Sequence, residues 1–329
     1  MSEADAIDGI AVPTIGMIAD MRRELAPWVA TTPVFARAGI AAGPDGAVLQ
    51  FKFELLQNAG TFKARGAFAN LLALDDAQRR RGVTAISAGN HAIAVAYAAQ
   101  KLGVPAKVVM LASANPARLA LARACGAEVL LAPDGATGFA MVADIQAKEG
   151  KFFVHPFNGL RTVLGTATLG AEWAEQSGGL DAVVLPVGGG GLAAGAATAL
   201  RLAMPGVAIY GVEPEGANGM ARSFATGGPV KMGAMASIAD SLCAPHTEAY
   251  SYGLCRRAID ELVTIGDEEL RAAMRLLFEE LKLAVEPACA AATAAVCGKL
   301  RARLAGKRVG VLLCGSNTDL ATFAGHMAA

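Results

Sequence analysis

The sequence predicts an α/β protein built on two parallel sheets flanked by helices. Three observations predict it. From about Val83 onward, short apolar β-prone runs alternate with Ala-rich segments of helical length. The strand segments are apolar throughout instead of alternating, which marks sheets covered on both faces. The chain has 329 residues, 54% hydrophobic and only 18% charged, against about 25% charged in an average domain. That is enough apolar matter for roughly two domains.

The elements follow in chain order. NAGTFKARGAFANLL, residues 58–72, runs into an apolar helix. Val83–Ser87 reads as a strand, Asn90–Leu102 as an Ala-rich helix and Ala106–Leu111 as the next strand. A helix follows over Asn115–Cys125, with Asn115 as N-cap and Pro116 at its first position. Glu128–Leu131 is a third strand, Phe139–Lys148 a third helix and Phe152–His155 a fourth strand. A second βαβ unit starts at Ala182: the strand VVLPV, the run Gly188–Gly191, a helix through Met204 and the strand AIYGVEP. Asp267 is expected to cap a helix whose Leu270, Met274, Leu277 and Leu281 share one stripe. A helix from about Pro287 to Leu304 and the strand RVGVLLCG precede a short terminal helix.

Composition removes several function classes. With 29 basic and 29 acidic residues the formal charge is zero, so there is no electrostatic footprint for nucleic acid or an anionic membrane. The uncharged run Ala182–Leu200 contains Pro186 and four glycines, whose backbone would be costly in lipid. It reads as a buried strand, a loop and a helix. The acidic start MSEADAIDGIAVP lacks the pattern of a secretory signal. The six cysteines form no CxxC pair and read as buried thiols of a reducing compartment, so a cytoplasmic protein is expected. His155 reads as a strand-end packing residue, His246 and His326 as incidental, and Trp28 and Trp173 as core or interface anchors.

Three segments can carry chemistry. Gly188, Gly189, Gly190 and Gly191 follow an apolar strand and open a helix, so their amides can converge on a phosphate. A Walker site fails, because no Gly-Lys-Ser/Thr follows. A dinucleotide remains open, because Glu213 ends the next strand 25 residues beyond Gly188, where a ribose-binding carboxylate would stand. So does a cofactor with one phosphate monoester, such as pyridoxal 5′-phosphate. Lys63 enters an apolar helix beside Phe62; it can snorkel to water, or be the desolvated amine that a Schiff base requires. Ser87, Asn90 and His91 stand at a strand-to-helix junction, where donors can meet an anion or simply cap the helix. Taken singly, each segment has a bland explanation.

In series they resemble a family. TFKARGA resembles the lysine motif of the fold-type II pyridoxal-phosphate enzymes, SAGNHA their substrate-carboxylate loop and PVGGGGLAAG their phosphate loop. LLCGSN resembles the segment near the pyridine nitrogen; FVHPFN, SIADSL and KLAVEPA keep the family's order, so the resemblance covers roughly residues 25–325. The most similar branch holds the threonine/serine dehydratases and serine racemases. The resemblance implies a two-domain, tryptophan synthase β-like fold, with residues 1–75 and 152–329 as a discontinuous large domain. Residues 76–151 would be a small mobile α/β domain. It further implies that Lys63 carries the cofactor and acts as base, with Phe62 packed against the ring. Asn90 would meet the ring hydroxyl, Gly188–Gly191 would cradle the phosphate, and Cys314 would face the ring nitrogen. The substrate carboxylate would sit on Ser87, Ala88, Gly89, Asn90 and His91. A neutral thiol at 314 cannot protonate the pyridine as an aspartate would, which suits β-elimination. The implied enzyme is a homodimeric carbon–oxygen lyase. It converts L-threonine, L-serine or a related 3-hydroxy amino acid to a 2-oxo acid and ammonia. A racemase of the same fold and a nicotinamide-dependent oxidoreductase are the alternatives.

Departures from the pattern refine this. Ala88 stands where racemases carry a serine that returns a proton to the opposite face, so elimination should outrun racemization. The family's cation site resembles Glu213 and the Ala217 carbonyl, but Gly219 replaces the expected carboxylate, so a divalent cation should be weakly bound or dispensable. Ala239-Asp240-Ser241 and Gly165-Thr166-Ala167-Thr168 differ from the family's ADG and GQGT, which points to an unusual 3-hydroxy amino acid. With the chain ending at Ala329, feedback through a C-terminal regulatory domain is not expected.

Overall fold

A computed structural model describes residues 5–329. Two sheets organise it. The larger has six strands in the order Glu261–Ile265, Ala208–Pro214, Ala182–Pro186, Arg308–Leu313, Val48–Phe53 and Val34–Ala38. All neighbours are parallel except the last pair. The smaller is fully parallel: Glu128–Ala132, Ala106–Leu111, Val83–Ser87 and Phe152–Phe153. Central strands such as Ala182–Pro186 are buried at every residue, as a parallel sheet with helices on both faces requires. The run through Leu200 is thus a strand, the glycine loop and the helix Gly191–Ala203. No helix among the described residues is long and apolar enough to cross a membrane. All six cysteines are free thiols, three of them buried.

Local chemistry explains where the boundaries differ from expectation. The third helix starts at Gly135 instead of Phe139, because Asp134 caps it by accepting from the Thr137 amide at 2.8 Å. Asp267 is not a cap. Gly266 holds that position, its amide donating to Glu269 at 2.8 Å, while Asp267 accepts from the Ser237 hydroxyl at 2.7 Å. The helix expected to reach Leu304 ends at Cys297, because Gly298 leaves helical backbone angles. The fourth strand pairs only over Phe152–Phe153, so His155 lies beyond it.

Strand order places the openings. The strand Ala182–Pro186 sends its chain to one neighbour through the glycine loop, while Arg308–Leu313 lies on its other side. The same reversal occurs in the small sheet, where Val83–Ser87 stands between Ala106–Leu111 and Phe152–Phe153. Ligands bind open α/β sheets at the carboxyl ends of strands that diverge in this way. The two reversals end in Gly188–Gly191 with Cys314, and in Ser87–His91 with His155. One core cluster crosses the expected boundary at 75/76: Leu25, Phe68 and Leu71 pack with Val83, Ile93 and Val108.

Candidate active site

Lys63 opens the helix Lys63–Leu72 just after an isolated bridge between Thr61 and Gly315. The Phe62 amide donates to the Cys314 carbonyl at 3.1 Å, which ties the lysine to the end of the Arg308–Leu313 strand. The Lys63 amine donates to the Pro156 carbonyl and sits 5.2 Å from the Phe62 ring centroid. Loss of water around it lowers its pKa to about 8. Two residues on, Arg65 faces the other way into a buried set of alternating charges. It donates to Glu54 at 2.7 and 2.8 Å and to Glu172 at 3.0 Å, and Glu172 also pairs with Lys52. That neutral quartet locks the lysine helix against the large sheet.

The glycine loop is closed by contact. A Cβ on Gly189 would meet the Phe157 ring at 2.4 Å, and one on Gly191 would meet the Phe157 Cα at 2.6 Å. Gly190 has φ 91° and caps the helix with no side chain, so the first helical amides remain available to an anion. The Thr166 hydroxyl donates to the Gly191 carbonyl at 2.8 Å. A small cavity of about 10 Å³ lies between the loop and the amine, bounded by Lys63, His91, Pro156, Thr166 and Gly191. Cys314 is buried and donates weakly to the Ala288 carbonyl at 3.8 Å; the neighbouring Cys289 and burial push its thiol pKa up, so it stays neutral.

The Ser87–His91 segment meets the large sheet through side chains. Ser87, not Asn90, satisfies the helix start, accepting from the Gly89 amide at 2.9 Å and the His91 amide at 3.3 Å. Asn90 is free to reach across: it donates to Glu286 at 2.6 Å and Ser241 at 3.4 Å and accepts from Asn317 at 2.8 Å. His91 is bonded to the Val154 carbonyl at 2.8 Å, and burial lowers its pKa to about 3, so it is a neutral tie and not a base. Ala88 brings only a methyl group to the turn.

Sequence reasoning passed over Arg118. It is 3% exposed and spans the two sheets, donating to the Asn317 carbonyl at 2.7 Å, Asp240 at 2.6 Å and Glu286 at 2.8 Å. Gly89 must be glycine because a Cβ there would meet the Arg118 Cδ at 2.3 Å. An arginine in PARLALARA carries no local signal of a partner 168 residues away. His246, read as incidental, also has partners here: its ring lies 5.2 Å from Phe139 and 5.5 Å from Phe157.

The donor set decides which phosphate owner fits. Glu213, which a dinucleotide ribose or a cation would need, has its oxygens taken by the Met220 and Ala221 amides at 2.8 and 2.7 Å. Burial pushes its pKa up to about 7. The arrangement therefore caps the helix Gly219–Thr226 instead of presenting a free carboxylate beside the Ala217 carbonyl. What the reversal at the glycine loop offers is an anion-binding helix start, a desolvated amine and a neutral thiol. A cofactor with one phosphate, one carbonyl and a ring nitrogen fits all three.

The chain belongs to the pyridoxal-phosphate dependent enzymes, whose family model matches residues 25–315. Within that class it is 65% identical over 321 residues to a phenylserine dehydratase from Ralstonia pickettii, covering 98% of both chains. An L-threo-3-hydroxyaspartate ammonia-lyase from Saccharomyces cerevisiae is 35% identical, covering 95% of this chain and 96% of that one. Among solved structures, maize serine racemase aligns with a TM-score of 0.89 at 31% identity, covering 96% and 97% of the two chains. The processed form of threonine deaminase isoform 2 from Solanum lycopersicum aligns at 0.87 and 28% identity, covering 95% and 87%.

Proposed function

We propose that this chain is a pyridoxal-phosphate-dependent ammonia-lyase that eliminates the β-hydroxyl of 3-hydroxy amino acids, with phenylserine the preferred substrate. The observation that carries the reaction is Lys63: an enclosed amine, its pKa lowered to about 8, facing the start of the glycine-loop helix. The 65% identity to a phenylserine dehydratase along almost the whole chain favours the aromatic substrate.

The cofactor supplies the electron sink that makes the substrate α-proton acidic. The chain supplies the rest. Lys63 would hold the cofactor covalently, and once substrate is bound its freed Nζ would take the α-proton. The amides at Gly188–Gly191 and the helix start hold the phosphate. Cys314, a neutral thiol, would face the ring nitrogen with an S–H too weakly acidic to protonate it. Asn90 keeps its Glu286 bond and can exchange the long Ser241 contact for the ring hydroxyl. The Ser87–His91 turn receives the carboxylate. The hydroxyl would leave as water with the proton that Lys63 took from the α-carbon, and hydrolysis of the released enamine would give a 2-oxo acid and ammonia. Ala88 has no proton to give the opposite face, which favours elimination over racemization. Residues 76–151 would move as a unit in this reading: Ile86, Val109, Val142 and Ile145 form a small core within them, while Val83, Ile93 and Val108 share theirs with Leu25, Phe68 and Leu71.

The test is a panel of L-threo-phenylserine, L-threonine, L-serine and L-threo-3-hydroxyaspartate, assayed on the yellow holoenzyme for 2-oxo acid and ammonia. We expect equimolar products, with phenylserine highest in kcat/KM. No product from any of the four, or D-serine formed from L-serine as fast as pyruvate, overturns the reading.

A further inference from the structure

An aromatic cluster stands beside the lysine, and neither the cofactor nor the carboxylate explains it. Only 5% of the chain is aromatic, yet Phe139, Phe153 and Phe157 converge with His155 and His246, two of its four histidines. Phe139–His246 centroids are 5.2 Å apart, Phe153–His155 5.3 Å, His155–Phe157 4.7 Å and Phe157–His246 5.5 Å. These separations are those of attractive edge and offset ring contacts. We infer that this cluster is the subsite for the β-aryl ring of the substrate, with Phe139 as its specificity-determining wall. The inference rests on the reading of the chain as a lyase of 3-hydroxy amino acids.

Position supports it first. The Pro156 carbonyl accepts from Lys63, so His155 and Phe157 flank the residue that touches the base. Phe157 also lies against Gly189 and Gly191. A group on the substrate β-carbon, one bond from the carbon Lys63 deprotonates, therefore has these rings as neighbours. Phe139 enters from the helix Gly135–Glu149 on the small sheet, and His246 from the large domain, so the cluster spans the seam that a substrate must enter.

Accessibility and charge point the same way. Core rings such as Phe51, Phe68 and Trp173 are fully buried, whereas Phe139, Phe153, His155 and His246 are half-buried and present ring surface. His155 accepts at Nδ1 from the Phe157 and Asn158 amides at 3.3 and 3.0 Å, which places its proton on Nε2. Burial lowers its pKa to about 3, so it serves as a neutral wall. At the rim the Glu248 carboxylate lies 3.0 Å from His246 and 3.8 Å from His155. None of the cation–ring contacts among the described residues involves these rings. A β-carboxylate would meet the like charge of Glu248, a methyl group would leave the rings uncovered, and an aryl ring completes the cluster.

The experiment compares wild type, Phe139→Leu and Phe139→Ala holoenzymes. Two ratios are read: kcat/KM for L-threo-phenylserine over L-threonine, and calorimetric affinity for L-phenylalanine over L-alanine, which lack the leaving hydroxyl. Losing one wall of an aromatic pocket should lower both ratios by about tenfold or more in Phe139→Ala, with Phe139→Leu between. Ratios unchanged in both variants, or a wild type that binds L-alanine as tightly as L-phenylalanine, overturn the subsite. A wild type that makes no 2-oxo acid sinks the lyase reading instead, while the amino-acid binding ratio still judges the cluster.

Discussion

The two strand reversals open on one space, but they are finished in different materials. The large sheet ends in backbone: consecutive glycines, a bare helix start and the main-chain bonds that fix Phe62 and Cys314. The small sheet ends in side chains: Asn90, His91, Arg118 and Phe139, each held by a partner far away in sequence. A phosphate is the same in every substrate, so amides in fixed positions suffice. A substrate side chain varies, and only side chains can fit it. The difference also predicts fragility, because backbone contacts fail by collision and side-chain contacts by loss of a partner.

The largest expected effect lies where the two meet. Lys63→Ala should lower kcat by about three orders of magnitude or more and end covalent cofactor attachment, since it removes the base and the anchor together. Intact mass after borohydride reduction checks it; an adduct surviving on another lysine breaks the assignment. The same amine sets the pH dependence of loading. With its pKa at about 8, capture of cofactor by the apoprotein should slow about tenfold per pH unit below that value and level off above it. Stopped-flow absorbance between pH 6 and 9 reads the slope.

On the side-chain half, Arg118→Met leaves Glu286 buried, still bonded to Asn90 but without its cation. We expect a loss of about 3 kcal/mol at pH 8, measured by urea unfolding. Burial already raises the Glu286 pKa in the fold, and without Arg118 it should rise further. A raised carboxylate favours the folded state at low pH and loses that advantage as pH rises, so the penalty should shrink toward pH 5. A penalty that does not change with pH would show that Arg118 acts through packing alone.

The backbone half should break differently and by less. Gly191→Ala drives a methyl group into the Phe157 backbone at 2.6 Å, costing about 1–3 kcal/mol as the loop and Phe157 separate. Cofactor affinity should fall about tenfold with little change in the phenylserine-to-threonine ratio. If that ratio moves as much as in Phe139→Ala, the two halves are not separable and the comparison fails.

By itself the sequence determined the strand–helix alternation, the parallel sheets, the glycine loop, the lysine at its helix start and the neutral cysteine at 314. These are local: apolar runs, consecutive glycines and short motifs act within a few residues, so their physics is written in order along the chain. It also placed the helix Asn90–Leu102 and the strand Ala208–Pro214 within their observed bounds. Only the tertiary structure decided that Glu213 caps a helix, that Arg65 joins Glu54 and Glu172, and that Arg118 crosses to Glu286. His246 shows the reason most plainly. Nothing in PHTEAY calls for an aromatic ring, and Phe139 lies 107 residues before it. The two meet because sheet order brings a helix of one sheet against a loop of the other, and a contact made by sheet order leaves no periodicity in the sequence.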